Sequence, residues 1–244
     1  MSTALITGAT AGIGEAAARK FVANGWRVIG TGRRGERLDR LERELGDAFR
    51  GLELDMRDIG TFDAQAADAG PIDLLVNNAG LAPPMNKLQD AEQEPLDTVI
   101  GTNIAGLVAL TRSLLPGLLE RTGAIINLSS VAATYPYQGG AVYAGSKAFV
   151  RQFGLGLRCD LAGTGVRVTS IEPGMVETEF TLVRNGGNQA ASDALYAGAN
   201  PMTADDIADT IFYVATLPPH LNLNALELMP VSQSWAGFAV ERNG

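Results

Sequence analysis

Short β-rich runs alternate with longer helical runs along almost the whole chain of 244 residues. Strand–helix–strand connections are right-handed and bring successive strands parallel in one sheet, with helices on both faces. No Gly-, Pro- or Ser-rich linker divides the chain. The alternation therefore predicts an α/β fold, with one domain over residues 1–244 and a Rossmann-like, doubly wound parallel sheet of about seven strands.

The pattern places the individual elements within a few residues. The predicted strands are residues 4–7, 27–31, 51–54, 74–77, 124–128, 167–171 and 226–228. The predicted helices are residues 14–24, 36–45, 59–67, 96–119, 143–162 and 204–216.

One stretch, residues 177–202, interrupts this alternation. It has two short helical patterns around Asn185-Gly186-Gly187-Asn188, and it follows the sixth strand. Ligands bind at the carboxyl ends of the strands in such folds. This position favours a substrate lid, with a plain surface insertion as the alternative.

Composition narrows the function classes. The net charge of −8 argues against a broad nucleic-acid surface, which would be basic. One cysteine and one histidine are too few for the usual zinc sites, so no metal is expected. We expect Cys159 to be a small buried side chain, and His220, in a Pro-rich loop, to lie at the surface.

Membrane and export signals are also missing from the sequence pattern. No apolar stretch approaches the roughly 18 residues of a spanning helix. The N-terminus has no basic flank or long apolar region of a signal peptide. A lone cysteine fits a reducing compartment. We therefore expect a cytoplasmic protein without a membrane partner.

The first strand leads into the turn Thr7-Gly8-Ala9-Thr10-Ala11-Gly12-Ile13-Gly14. Gly8 permits the tight turn, Gly12 lets the backbone approach a pyrophosphate, and Gly14 lets the helix pack closely on the strand. The helix N-terminus then presents free N–H groups to phosphate. A glycine-rich turn between a strand and a helix predicts a dinucleotide site.

The end of the second strand indicates which dinucleotide binds. NAD sites place a carboxylate there, but this chain has Arg33 and Arg34. Two guanidinium groups suit the 2′-phosphate of NADP, and two solvated arginines are the alternative. Asp55, after the third strand, suits either the adenine amino group or a local turn.

Tyr143 and Lys147 are four residues apart, so on a helix they share one face. A phenol has a free pKa of about 10 and is a poor acid or base at neutral pH. A neighbouring ammonium group favours the phenolate, so Lys147 is expected to lower the pKa of Tyr143.

Taken together, these motifs and their spacing resemble the short-chain dehydrogenases/reductases over essentially the whole chain. The matching pieces are Thr7-Gly8 to Gly14, Asn77-Asn78-Ala79-Gly80, Asn103, Ser129-Ser130, Tyr143 with Lys147, and Pro173-Gly174. A closer resemblance is to the bacterial NADP-dependent 3-hydroxy acid dehydrogenases, also called serine or L-allo-threonine dehydrogenases. It is carried by Thr31-Gly32-Arg33-Arg34, Phe149-Val150-Arg151-Gln152-Phe153, Ile171-Glu172-Pro173-Gly174 and residues 228–234.

The resemblance implies a four-residue catalytic set. Tyr143 is the general acid in reduction and the general base in oxidation, and Lys147 also bonds the nicotinamide ribose. Ser130 polarises the substrate carbonyl; Ser129 is set aside because adjacent strand residues point to opposite faces. Asn103 holds a water in a proton relay at a helix kink, which Gly101 and Gly106 would ease.

The predicted binding residues follow from the motifs and the resemblance. For the cofactor they are Gly8, Thr10, Gly12, Ile13, Gly14, Arg33, Arg34, Asp55, Asn78, Ala79, Gly80, Tyr143, Lys147, Pro173, Gly174 and Thr178. Thr178 suits a helix N-cap equally well. For the substrate they are Ser130, Gln138 and Arg184, with Tyr135 and Tyr137 as pocket-lining candidates. Trp235 and Phe238 either cover the pocket or pack on another subunit.

We therefore expect an NADP-dependent oxidoreductase that interconverts a small 3-hydroxy acid and its 3-oxo form. Serine, L-allo-threonine and 3-hydroxypropionate represent the substrate class. A short-chain reductase for a bulkier ketoacyl thioester, sugar or ketone is the alternative within the enzyme class. A non-catalytic NADP-binding sensor is the alternative outside it. The resemblance also implies a homotetramer, assembled through the helices after strands four and five and the final strand.

Overall fold

The computed structural model describes residues 1–234, so Trp235, Phe238 and the rest of the last ten residues lie outside the described part of the chain. The strands are β1 (Thr3–Thr7), β2 (Arg27–Gly32), β3 (Phe49–Glu53), β4 (Leu74–Asn77), β5 (Ala124–Leu128), β6 (Arg167–Pro173), β7 (Val176–Glu177), β8 (Met202–Thr203) and β9 (Ala225–Leu228). Seven of them form one parallel sheet in the order β3-β2-β1-β4-β5-β6-β9, and β7 pairs with β8 separately.

The α-helices lie in the connections between these strands. They are α1 (Gly12–Ala23), α2 (Gly35–Leu45), α3 (Phe62–Ala69), α4 (Gln93–Ile100), α5 (Leu107–Arg121), α6 (Ala141–Asp160), α7 (Glu179–Arg184), α8 (Gln189–Tyr196) and α9 (Ala204–Ala215). The predicted fold class, a Rossmann-like parallel sheet with helices on both faces, is confirmed. Predicted element ends differ from the observed ones by up to three residues, because helix and strand ends carry the weakest sequence signal.

The central strands are buried on both faces because a helical layer covers each side. Leu5 and Ile6 are adjacent on β1 and are both buried, but they belong to two different cores. Ile6 packs with Phe21 of α1 and Ile211 of α9, whereas Leu5 packs with Leu110 of α5. This two-sided burial explains why the strands read as continuous apolar runs rather than alternating ones.

The long helix between β4 and β5 contains a distortion. Residues Gly101–Gly106 form a π-helical turn between α4 and α5. A Cβ at Gly106 would lie 2.0 Å from the carbonyl oxygen of Met56, so only glycine fits there. The distortion that the resemblance implies around Asn103 is therefore present as a π turn.

The same helix, Gln93–Arg121, is long and apolar enough to cross a membrane by length and composition alone. The prediction that no apolar stretch approaches the length of a spanning helix is therefore wrong for this segment. Leu110, Leu114 and Leu118 on this helix are instead buried in the core beside the sheet.

The segment between β7 and β8 has the two short helices that the sequence predicts, α7 and α8. Val176 pairs with Met202, so the segment begins and ends in one small sheet. Its function as a lid stays a prediction. His220 is exposed, as predicted. The prediction that Cys159 is buried is wrong, because Cys159 lies on the outer side of α6 and is exposed.

Candidate active site

A single cleft of about 560 Å³ runs along the carboxyl ends of the central strands. Its size suits a small-molecule ligand. It is lined by most of the predicted site residues: Gly8, Thr10, Gly12, Ile13, Arg33, Arg34, Asp55, Asn78, Ala79, Gly80, Ser130, Tyr143, Lys147, Pro173, Gly174, Thr178 and Arg184. The fold therefore brings together residues that are spread over almost the whole sequence.

The glycine turn between β1 and α1 forms one end of this cleft. Gly8 and Gly12 have φ angles of +70° and +53°, which L-residues with a side chain rarely adopt. Gly14 does not line the cleft and is buried beneath it. A Cβ at Gly14 would lie 2.3 Å from the Gly8 carbonyl oxygen, so its role is the close packing of helix and turn.

The two predicted phosphate-binding arginines differ in their contacts. Arg33 is exposed and makes no hydrogen bond or ion pair with any residue in the range 1–234. Arg34 donates to Thr10 Oγ1 at 3.0 Å and to Glu179 Oε2 at 3.0 Å. Arg37, which the sequence analysis missed, donates to the same Glu179 carboxylate at 2.9 Å.

Glu179 therefore sits between two guanidinium groups at the end of the cleft that lies beside β2 and α2. Partial burial acts to raise the pKa of its carboxyl, but hydrogen bonds from Arg34 and Arg37 hold that pKa below its ordinary value. The carboxylate is therefore charged at neutral pH. Arg34 precedes α2 as its N-cap and Arg37 lies in the first turn of that helix, and this closeness in sequence is the signal that would have found Arg37.

Asp55 lines the cleft and also makes the local turn that was its alternative prediction. Its Oδ1 accepts from the backbone N–H of Arg57 at 2.9 Å, and its Oδ2 pairs with the Arg57 guanidinium at 3.0 Å. The hydrogen bond from Arg57 lowers the pKa of the Asp55 carboxyl.

The residues after β4 fix the middle of the cleft. The Asn78 Nδ2 donates to the Thr7 carbonyl oxygen at 2.8 Å, which ties this turn to β1. A Cβ at Gly80 would lie 3.3 Å from Lys147 Nζ and 3.4 Å from Asn103 Oδ1. Gly80 thus leaves the space between those two polar groups open.

Tyr143 and Lys147 lie on the inner side of α6, as their spacing predicts, and both are buried. Lys147 Nζ donates to the Leu128 carbonyl oxygen at 2.7 Å and lies 5.8 Å from the centroid of the Tyr143 ring. Burial lowers the pKa of Lys147 to about 8.

The predicted lowering of the Tyr143 pKa is not what this structure gives. Burial raises the pKa of the phenol to about 12, although a hydrogen bond with Ser130 and the charge of Arg184 act to lower it. Lys147 exerts little influence because its ammonium group is directed at the Leu128 carbonyl. The phenol therefore holds its proton at neutral pH, in the form of an acid.

The two serines after β5 point in different directions, as predicted. Ser130 Oγ faces Tyr143 and lies 3.4 Å from the Pro173 carbonyl oxygen, which places it between α6 and β6. Ser129 Oγ donates to the Lys147 carbonyl oxygen at 2.7 Å and so fastens α6 to the sheet.

Asn103 does not line the cleft but lies directly behind it, 1% exposed. Its Nδ2 donates to the Leu81 carbonyl oxygen at 2.9 Å and to Ser146 Oγ at 3.0 Å, and its Oδ1 accepts from the Leu81 N–H at 3.0 Å. These bonds hold the loop after β4 beside Lys147.

At the opposite end of the cleft, Arg184 lies above two aromatic rings. Its Cζ is 5.8 Å from the Tyr143 ring centroid and 5.5 Å from that of Tyr137. Its Nε donates to the Pro83 carbonyl oxygen at 3.2 Å, and its Nη2 to the Tyr137 hydroxyl at 3.1 Å.

Two of the predicted pocket residues lie elsewhere. Gln138 is exposed and does not line the cleft, because its neighbour Tyr137 is the residue that turns inward. Tyr135 contacts Glu227 of β9, at 3.3 Å between Oη and Oε1. Thr178 lines the cleft and also caps α7, since its Oγ1 accepts from the Phe180 N–H at 3.3 Å.

Two further cleft residues were missed by the sequence analysis. The Phe180 ring lies 5.7 Å from that of Tyr143. Gln233 reaches the turn after Pro173-Gly174, and its Oε1 accepts from the Met175 N–H at 2.7 Å. Neither residue type carries a chemical signal that would have singled it out.

A comparison with protein families decides the affiliation. The model of the family described as short chain dehydrogenase matches residues 2–188. The chain belongs to this family. The prediction made from its motifs is thereby confirmed.

Individual members of the short-chain dehydrogenase family are similar over the full length. Serine 3-dehydrogenase of Agrobacterium fabrum is 60% identical, and the match covers 98% of each chain. Sulfoacetaldehyde reductase 2 of Chromohalobacter salexigens is 54% identical, also over 98% of both chains. The solved closed form of a serine dehydrogenase complexed with NADP+ has a TM-score of 0.96 and 48% identity, covering 99% of this chain and 100% of that one.

The cleft of this short-chain dehydrogenase fits a dinucleotide phosphate. Gly8 and Gly12 keep side chains away from the N-terminus of α1. Arg33 presents a guanidinium group at the end of β2, and Gly80 leaves space beside Lys147. Within residues 1–234, no three His, Cys, Asp or Glu side chains come together as a possible metal site.

Proposed function

We propose that this protein is an NADP-dependent oxidoreductase that interconverts a small 3-hydroxy acid and its 3-oxo form. The names of similar proteins agree with the predicted activity and cofactor: one is a serine 3-dehydrogenase, and another is a serine dehydrogenase solved with NADP+. The single observation that supports the acid specificity is Arg184, whose guanidinium group lies 5.8 Å from the ring centroid of Tyr143.

Tyr143 is the acid in reduction. Its phenol, with a pKa of about 12, holds the proton that the carbonyl oxygen receives. Ser130, whose side chain faces this phenol, binds the same substrate oxygen and polarises the carbonyl. Bound NADPH supplies the hydride, and NADP+ accepts it in the reverse reaction.

Lys147, which lines the cleft, and Asn103, which lies behind it, support this chemistry. Lys147 bonds the cofactor ribose and helps to return a proton to Tyr143. Asn103 holds the Leu81 backbone and Ser146 in place beside it. The space at Gly80 between Asn103 Oδ1 and Lys147 Nζ suits the water of the relay.

The residues along the glycine turn would hold the cofactor, and those after β2 would hold its adenosine end. Gly8, Thr10, Gly12 and Ile13 surround the pyrophosphate, above Gly14. Arg33 and Arg34 hold the 2′-phosphate, and Asp55 borders the adenine. Asn78, Ala79 and Gly80 line the ribose side, and Pro173, Gly174 and Thr178 the nicotinamide side.

The substrate acid group binds Arg184, and Ser130 binds the reacting oxygen. Arg184 uses Nε and Nη2 for Pro83 and Tyr137, and its Nη1 makes no hydrogen bond with residues 1–234. That group is therefore available to a carboxylate. Gln138, which is exposed, is not part of this proposal.

A second candidate is reduction of a short aldehyde that carries a sulfonate. It is favoured by the relative that is named a sulfoacetaldehyde reductase and is 54% identical. A guanidinium group such as that of Arg184 binds a sulfonate as well as a carboxylate.

We also infer a cytoplasmic homotetramer. Ile100 and Phe149 support assembly, because they expose apolar surface on the helices that follow β4 and β5, with exposures of 45% and 36%. Light scattering of the purified protein at four chain masses tests this assembly.

A substrate panel with NADPH absorbance as readout tests the activity. We expect turnover with serine, L-allo-threonine or 3-hydroxypropionate and NADP+, and little with hydrophobic ketones or ketoacyl thioesters. Sulfoacetaldehyde with NADPH tests the second candidate. Preference for the bulky carbonyls would contradict the proposal, and tight NADPH binding without turnover of any substrate would favour a sensor.

A further inference from the structure

Helix α7 joins two charged groups at opposite ends of the cleft. Its first residue, Glu179, pairs with Arg34 and Arg37 at the adenosine end. Its last residue, Arg184, lies over Tyr143 at the substrate end. The five intervening steps of a helix span about 7.5 Å, so the position of one end determines that of the other.

The Glu179 end is attached to the rigid part of the fold. Arg34 also donates to Thr10 Oγ1, and Arg37 donates to the Thr10 carbonyl oxygen at 3.2 Å. Both arginines belong to the start of α2, which packs on the sheet through the buried Leu38 and Leu41. The carboxylate therefore links α7 to the glycine turn and to α2 at once.

The Arg184 end is held by hydrogen bonds from its guanidinium group to two uncharged groups, the Pro83 carbonyl oxygen at 3.2 Å and the Tyr137 hydroxyl at 3.1 Å. The chain continues through Gly186 and Gly187, whose φ angles of +61° and +86° belong to a turn outside any helix or strand. Val183, beside Arg184, is 62% exposed and contributes little packing. The orientation of Arg184 over Tyr143 thus depends on these two hydrogen bonds and on how the other end of α7 is held.

We propose that Glu179 is a positioning residue for substrate recognition, whose ion pairs with Arg34 and Arg37 hold α7 so that Arg184 reaches the substrate acid group. This inference rests on the proposed function of Arg184 as the anion-binding residue. It assigns to Glu179 no contact with substrate or with the reacting atoms.

The test is Glu179→Gln, with Glu177→Gln as the matched control. Glu177 is an exposed acid on the same segment that makes no ion pair with any described residue. The substrates are 3-hydroxypropionate and its methyl ester, which differ in the negative charge. Because exposed ion pairs are weak individually, we expect roughly a 3- to 10-fold rise in KM for the acid. The KM for the ester and kcat should change less than about twofold.

NADPH affinity separates positioning from general damage. Glu179→Gln removes a negative charge beside the arginines of the 2′-phosphate site, so NADPH should bind equally or more tightly. Loss of local structure would instead weaken NADPH and substrate together. When Arg37→Gln is combined with Glu179→Gln, the loss of binding free energy for the acid should be smaller than the sum of the losses from the two single changes.

Each outcome bears on the inference. An acid-selective KM rise with unweakened NADPH binding supports it. If Glu179→Gln behaves like Glu177→Gln while Arg184→Met still loses acid selectivity, the positioning role is wrong and the proposed function stands. If Arg184→Met loses no selectivity, both are wrong. Parallel weakening of NADPH overturns the positioning role alone.

Discussion

Lys147 directs its ammonium group at the Leu128 carbonyl oxygen, 2.7 Å away, and lies over the Tyr143 ring at 5.8 Å from the centroid rather than at its hydroxyl. Both groups are buried. The pKa of the Tyr143 phenol is raised to about 12, and the pKa of the Lys147 amine is lowered to about 8. Both shifts disfavour the charged forms and come first from burial.

The lowered pKa of Lys147 predicts a pH dependence of stability. The unfolded amine has a pKa near 10.5 and the folded one about 8, so the unfolded state binds more protons between those values. The free energy of unfolding should therefore rise with pH across that window. For the protein without cofactor, Lys147→Met should remove a gain of about 2 kcal/mol between pH 8 and 10.

Urea unfolding at several pH values measures this gain. The raised pKa of Tyr143 acts in the opposite direction, mainly above pH 10, and it contributes alike to the wild type and to Lys147→Met, so the difference between them isolates the lysine. Lys87→Met is the control, because that lysine is exposed. Parallel pH profiles for the wild type and Lys147→Met would show that the amine is not buried in its resting state.

Tyr143→Phe should cut kcat by about 10²- to 10⁴-fold, because general acid–base catalysis contributes that much. The ring keeps its packing against Phe180 and Arg184, so the fold and the NADPH Kd should change little. Fluorescence titration with NADPH and steady-state turnover measure the two quantities. Tyr213→Phe, at a tyrosine 58% exposed on α9, is the control. Retained turnover would contradict the role of Tyr143 as the general acid.

Arg33→Ala should raise the KM for NADPH by about 10- to 100-fold, because hydrogen bonds to charged groups contribute about 1.5–3 kcal/mol. The KM for NADH should change little, since it lacks the 2′-phosphate. Arg34→Ala should change the KM for NADPH relative to NADH by a smaller factor, because Arg34 already donates hydrogen bonds to Thr10 and Glu179. Arg43→Ala, at an exposed arginine on the following helix α2, is the control. Equal effects of Arg33→Ala on both cofactors would contradict the assignment.

Much of the fold and the cleft could be predicted because local patterns encode them. The strand β4 and its turn, Asn77 to Gly80, follow from an apolar run with polar residues at its carboxyl end. The turn at Gly8 follows from a backbone that only glycine adopts easily. The shared face of Tyr143 and Lys147 follows from helical spacing alone.

What could not be predicted depends on contacts between distant parts of the chain. The Arg37–Glu179 pair joins residues 142 positions apart, and no local signal links them. The pKa of Tyr143 depends on how completely it is buried and on which way Lys147 points. Tyr137 and Gln138 are adjacent, and only the turn geometry decides that Tyr137 enters the cleft.

Gly14→Ala should destabilise the protein by about 1–3 kcal/mol and weaken NADPH binding. Its Cβ would lie 2.3 Å from the Gly8 carbonyl oxygen and 2.5 Å from Asn78 Nδ2, so the turn must shift. Gly117→Ala is the control, because its Cβ would meet nothing within 4 Å in α5. That substitution should stabilise by up to about 1 kcal/mol. Thermal unfolding measures both, and an unchanged Tm for Gly14→Ala would contradict the packing argument.

Arg184→Met should lower kcat/KM for 3-hydroxypropionate by about 10- to 100-fold, since the substrate carboxylate loses a charged hydrogen-bond donor. The methyl ester, which carries no charge, should lose less than about threefold. Methionine retains an unbranched apolar stem beside Tyr137 and Tyr143, so the shape of the cleft changes little. Arg184→Lys, which keeps the charge but loses the planar fork, should fall between the two. Equal losses for acid and ester would mean that Arg184 maintains the structure of the cleft but does not bind the acid group.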